Sequence, residues 1–212
     1  MEFTLLFAAV AGVGPMWFFA NRTTAPEGLG DRALGAVITG LFVGRLTAMV
    51  GVGINPLTAI GDILIIRGGV STIGATSGAL GYLAWTGRKE LGPVISGLAA
   101  PALIGLAGWH AGCVFRAACS GSQASWGRHP TELYAAVLFL AGAALAYRLR
   151  TRLADLTVGG GALAFAAAVR LGTEPIRPSL TGGPKLAYAV GIGAGLIIAA
   201  IGVRLAAHST SD

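Results

Sequence analysis

Between Leu91 and Phe115 the chain reads Leu-Gly-Pro-Val-Ile-Ser-Gly-Leu-Ala-Ala-Pro-Ala-Leu-Ile-Gly-Leu-Ala-Gly-Trp-His-Ala-Gly-Cys-Val-Phe, with no Lys, Arg, Asp or Glu. A helix needs about 20 mostly apolar residues to cross the hydrocarbon core of a bilayer, and this run exceeds that length. Six more apolar runs flank it: Phe3 to Ala20, Ala33 to about Val52, about Val70 to Trp85, about Thr131 to Tyr147, about Leu156 to Gly172, and Leu186 to Ala207. The stretch Ile54 to Ile66 is apolar but short, and an interfacial or re-entrant position is expected for it. The fold class expected is therefore all-α: a polytopic integral membrane protein of about seven transmembrane helices, with residues 1–212 forming one transmembrane domain.

Composition agrees. Of 212 residues, 54% are apolar and 11% are charged, against roughly 25% charged in soluble domains. Mean hydropathy is +0.73. Low hydrophobicity with high charge, the mark of disorder, is absent, and two cysteines do not make a disulfide-stapled miniprotein. The net charge of +6 comes from basic residues spread between the apolar runs, not clustered on one segment. That pattern serves orientation and anionic headgroups, so no nucleic-acid partner is expected. A transporter is not favoured either, because paired broken helices and an internal repeat are missing from the pattern.

Basic residues in alternate loops set the orientation. With the N-terminus outside, Arg22, Arg32, Arg88, Lys89, Arg148, Arg150, Arg152 and Arg204 lie on the cytoplasmic side. Arg67, Arg116, Arg128, Arg170, Arg177 and Lys185 then lie outside, scattered through motif-like loops. N-out and C-in is the expectation. Glycine pairs such as Gly40/Gly44 and Gly74/Gly78, and the run Gly191-x-Gly193-x-Gly195, predict close helix crossings and carry no chemistry.

Polar residues inside or beside the spans point to function, because an ionisable group at a helix centre costs about 2.5–3.5 kcal/mol. Arg45 sits about 12 Å of helix from the outer end of its span. It requires a partner, a wet cavity or a bound anion, and a structural ion pair inside the bundle is the plainest form of the first. In Arg170-Leu-Gly-Thr-Glu174-Pro-Ile-Arg177 the i, i+4, i+7 spacing predicts one helical face. A carboxylate there would orient two guanidiniums to clamp a phosphate, although Pro175 should kink or end the helix. Arg128-His129-Pro130-Thr131-Glu132-Leu133-Tyr134 opens the next span upstream, with Pro130 suited to a first helical turn. His129 is either a general base or an interfacial cap. In Trp109-His110-Ala-Gly112-Cys113-Val-Phe-Arg116-Ala-Ala-Cys119-Ser-Gly121 the spacing is not that of a zinc site, and no metal is expected. A disulfide between Cys113 and Cys119 suits an oxidising compartment. Six residues apart on a helix, however, they would lie on different faces, so free buried thiols are expected.

These elements, in this order over roughly residues 31 to 178, resemble the prolipoprotein diacylglyceryl transferase family. The resemblance rests on the His-Pro-Thr-Glu-Leu-Tyr run from His129, the Arg170-x-x-x-Glu174-x-x-Arg177 element, Gly44-Arg45-Leu46 after Asp31, and Gly68-Gly69-Val70-Ser71. It implies a bacterial plasma-membrane enzyme that moves diacylglyceryl from phosphatidylglycerol to the thiol of a lipobox cysteine, releasing glycerol phosphate, with no cofactor. Implied partners are phosphatidylglycerol or another anionic phospholipid, and a lipoprotein precursor. By the resemblance, His129 and Glu174 are the candidate catalytic residues. Arg45, Arg170, Arg177, Arg116, Tyr134, Glu132 and His110 are candidates for the lipid headgroup. The chain departs from the family pattern at several places. The signature arginine is His110, its two asparagines are Cys113 and Arg116, and its glutamate is Ala118. His129, Glu132 and Tyr134 match the family's His-Pro-x-Gln-Leu-Tyr-Glu stretch, and the glutamate that ends it is Ala135. The tyrosine before the Arg-x-x-x-Glu element is Ala166, and the family's histidine falls on Ile73. The Gly112 to Gly121 form looks like short, divergent members. The alternative expectation is a non-catalytic, lipid-binding descendant serving as a structural or accessory subunit of a membrane complex.

Overall fold

Every one of the seven apolar runs is helical in the computed structural model, which describes residues 3–22, 26–64, 69–113, 121–125, 127–177 and 184–209. In chain order the helices are α1 (Phe3–Arg22), α2 (Leu29–Gly51), α3 (Ile60–Leu64), α4 (Thr72–Thr86), α5 (Leu91–Cys113), α6 (Thr131–Leu149), α7 (Asp155–Thr173) and α8 (Lys185–Ser209). A two-residue hairpin, β1 (Gln123–Ala124) and β2 (Gly127–Arg128), precedes α6, and a 3-10 turn, Glu174–Ile176, follows α7. Among the described residues, five helices are long and apolar enough to cross a membrane: α2, α5, α6, α7 with its 3-10 turn, and α8. The chain is thus a multi-pass, all-helical membrane protein. α4 has 15 residues, which rise only about 22 Å, short of a roughly 30 Å hydrocarbon core. The short apolar piece of the loop becomes the five-residue α3.

The helices form two compact units, residues 30–91 in one, and residues 1–29 with 92–212 in the other. In the smaller unit α2 and α4 cross where side chains are smallest. A Cβ on Gly40 would meet the Ala75 carbonyl oxygen at 2.8 Å, and one on Gly78 would meet Val43 Cβ at 2.7 Å. Ser71 caps α4, accepting from the Gly74 N–H at 3.3 Å. Arg45 is buried in this unit. Its Nε donates to the Asp62 carbonyl at 2.9 Å and its NH1 to the Gly69 carbonyl at 3.1 Å. Backbone carbonyls therefore hold this guanidinium, and through it the chain at Asp62 and at Gly69.

The larger unit is built on α5, α6 and α7. Their facing sides carry Ala99, Leu103, Ala107, Ala135, Phe139, Ala143 and Val158, all buried. Alanine dominates because lipid supplies no hydrophobic drive between helices, so cohesion depends on close van der Waals approach. Phe139, fully buried, is the large side chain that fills the layer. α1 joins through Phe19, which meets Tyr147 edge-to-face with centroids 5.5 Å apart. α8 packs on α7 through glycine: a Cβ on Gly195 would meet the Ala164 backbone nitrogen at 2.5 Å. The other side of α8 bears exposed Leu196, Ile197 and Val203, as expected of a helix that is apolar all round and faces lipid.

Candidate functional site

Three helix ends converge in the larger unit. α5 carries His110 in its last turn. α6 carries Glu132 in its first turn, just after its N-cap, Pro130. α7 ends at Thr173, and the 3-10 turn that follows contains Glu174 and Pro175 and delivers Arg177. Pro175 explains the change of helix type, since it offers no N–H to continue the α pattern. His110, Glu132 and Glu174 are at most 5% exposed. His110 Nδ1 is in contact with Glu132 Oε2. Arg177 Nε lies 3.2 Å from Glu132 Oε1, and its NH1 lies 3.8 Å from Glu174 Oε2.

Each contact answers a need set by burial. A buried carboxylate must be paired or hydrogen-bonded, because desolvation costs several kcal/mol per ion. Glu132 meets this with an imidazole on one oxygen and a guanidinium on the other. The Arg177 contact is a charge pair at good distance without aligned hydrogen-bond geometry, so Oε1 retains accepting capacity. Thr131 Oγ1 and Glu174 Oε2 are likewise buried without a hydrogen-bond partner among the described residues. Arg177 is 34% exposed, so the cluster reaches the surface through a cation. Arg170 lies in electrostatic range of Glu132 and packs its guanidinium over the Tyr188 ring of α8, 5.8 Å from the centroid.

The loop before α6 ties the turn after α7 to this cluster. Gly121 N–H donates to the His129 carbonyl at 2.7 Å, His129 N–H to the Ser122 carbonyl at 3.1 Å, and Ser122 N–H to the Ile176 carbonyl at 2.8 Å. A Cβ on Gly121 would meet the carbonyl oxygens of His129 and Ile176, each at 2.7 Å. Neither backbone atom is free to move. Gly121→Ala is therefore expected to destabilise the protein by about 1–3 kcal/mol and to displace Arg177. Unfolding in detergent and arginine-directed chemical modification would read the two effects.

The structure sorts the expected site residues. His110, Glu132, Glu174 and Arg177 come together, with Arg170 nearby. His129 and Tyr134 stack edge-to-face with centroids 6.3 Å apart, and Arg128 is exposed on β2. Arg45 belongs to the smaller unit. Arg116 and Cys119 fall outside the described residues. Two expectations are corrected. Arg170, Glu174 and Arg177 do not share one helical face, because α7 stops at Thr173 and the 3-10 turn re-aims Arg177. Cys113 is disulfide-bonded, not a free thiol. The sequence expectations also missed the direct pairing of His110 with Glu132. Its signal was present as two complementary departures from the family pattern, arginine to His110 and glutamine to Glu132.

No curated protein sequence matches the chain. The family model for prolipoprotein diacylglyceryl transferase matches residues 3–207, nearly the whole length. An all-helical multi-pass chain with an Arg–carboxylate cluster at its helix ends, matched over that span, belongs to the prolipoprotein diacylglyceryl transferase family.

Proposed function

We propose that the protein transfers a diacylglyceryl group from phosphatidylglycerol to the cysteine thiol of a lipoprotein precursor in a bacterial plasma membrane. The reading includes a single domain of about seven membrane helices, α4 being short for a full crossing, with the N-terminus outside and the cluster turned to the outer leaflet. The observation that carries it is Arg177, partly exposed and held between two buried carboxylates, with Arg170 in range of the same cluster. In the reaction the C–O bond of the donor breaks and negative charge develops on the departing glycerol phosphate. Guanidiniums fixed in advance by carboxylates stabilise that charge without reorganising, and their planar forks suit phosphate oxygens. In this reading Arg170 and Arg177 hold the phosphate, Glu174 orients Arg177, and Tyr188 supports Arg170 from α8.

The test is transfer to a lipobox peptide from phosphatidylglycerol vesicles, followed by peptide mass. Arg170→Ala is expected to lower the rate about 100-fold with assembly unchanged. Equal rates in the two proteins would contradict the role of Arg170. The second reading, a lipid-binding subunit without turnover, draws on Ile73. That apolar side chain, 65% exposed, stands where the resemblance would put the family's histidine. It predicts folded, lipid-loaded protein that yields no modified peptide.

A further inference from the structure

The geometry points to His110 as the general base of this reaction, with Glu132 as its positioning residue. The inference rests on the transferase reading above. Thioether formation requires a group that removes the thiol proton, and the family's position for a histidine is Ile73 here. The smaller unit holds no histidine at all, since the chain's three are His110, His129 and His208.

Of these, only His110 is buried, and its ring is held by the Glu132 carboxylate. An ionised Glu132 accepts and does not donate, so the contact places a proton on Nδ1 and leaves the Nε2 lone pair free. Nε2 makes no hydrogen bond among the described residues. Phe139 stacks on the ring at 5.3 Å between centroids and an interplanar angle of 29°, fixing its plane. Arg177 and Arg170 supply the surrounding positive charge, and Glu174 supplies the second carboxylate. An imidazole oriented through Nδ1 by a carboxylate, with Nε2 open, is the arrangement that serves proton abstraction in unrelated nucleophilic enzymes.

Nε2 takes the proton of the acceptor thiol. The thiolate sulfur attacks the glyceryl carbon that carries the phosphate ester, forming the C–S bond. The C–O bond breaks and its electron pair leaves on the glycerol phosphate oxygen. The imidazolium returns the proton to that phosphate or to water, and the Glu132 carboxylate stabilises the imidazolium meanwhile. The arginines hold the anion while the histidine handles the proton.

The experiment uses the full chain in phosphatidylglycerol vesicles, with a lipobox peptide and transfer rates from pH 6 to 9.5. His110→Gln keeps a donor for Glu132 and similar volume, and unfolding in detergent reports whether it folds. At pH 7 its rate is expected to fall about 100-fold. The deficit should shrink as pH rises past about 8.5, where the peptide thiol ionises unaided. Glu132→Gln, which installs the family's own residue, is expected to lower the pH 7 rate about 10-fold with the same recovery. A His110→Gln rate within threefold of the parent overturns the inference, as does a deficit constant at every pH, which marks a purely structural pair. If the parent itself gives no product while folded and lipid-loaded, the transferase reading fails, and the inference with it. Parent turnover with an unaffected His110→Gln fails the inference alone.

Discussion

Arg177→Ala is expected to destabilise the protein by about 2–4 kcal/mol and to abolish transfer. Removing one partner of a buried ion pair typically costs about 3–5 kcal/mol, because the other charge is left uncompensated. Here two carboxylates lose their common cation at once, since Arg177 contacts both Glu132 and Glu174, each 3% exposed. Exposure of about a third of the Arg177 side chain moderates the cost. The double variant Arg177→Ala, Glu174→Gln should regain part of the stability, because it removes a stranded negative charge. On the proposed reading it should regain no transfer, because the cation assigned to the phosphate is still missing. Denaturant unfolding in detergent measures the first effect and peptide mass the second. A single variant as stable as the parent would mean that solvent, and not Arg177, satisfies the two carboxylates.

Gly195→Val is expected to cost about 3 kcal/mol or more by prying α8 from α7. A Cβ there would meet the Ala164 nitrogen at 2.5 Å and the Gly160 carbonyl oxygen at 2.6 Å, both backbone atoms within helices. The helices must separate, and in lipid the lost van der Waals contact has no hydrophobic substitute. Gly193→Val is the internal control. Nothing lies within 4 Å of its Cβ position, so its effect should stay within about 0.5 kcal/mol. The same separation would carry Tyr188 of α8 away from the Arg170 guanidinium, so Gly195→Val should also weaken turnover. Equal stability of the two variants would contradict the close α7–α8 crossing.

The contrast between Gly193 and Gly195 shows where sequence reading stops. The run Gly191-x-Gly193-x-Gly195 announces a crossing, but which glycine lies on the contact face depends on the rotation of α8. Helix existence was legible because apolar length alone requires it, and each of the seven runs is a helix. The functional cluster was legible in part. Intramembrane charge is costly enough that Arg170, Glu132, Glu174, Arg177 and His110 stood out by residue type. Their pairing did not, because it depends on three helix ends that lie far apart in sequence. The stripe expected from Arg170 to Arg177 failed for a local reason, Pro175, which converts the last turn to 3-10 geometry and rotates Arg177 toward Glu132. Arg45 illustrates a different limit. The cost of burying it was legible, but the acceptors are main-chain carbonyls at Asp62 and Gly69, and no side-chain pattern marks those.

The most direct measurement is the mass of a lipobox peptide after incubation with the purified, folded protein and phosphatidylglycerol vesicles, beside a peptide whose cysteine is replaced by serine. A diacylglyceryl increment is expected on the cysteine peptide only, with one glycerol phosphate released per peptide modified. An unchanged cysteine peptide, from protein that is folded and carries lipid, would contradict the transferase reading.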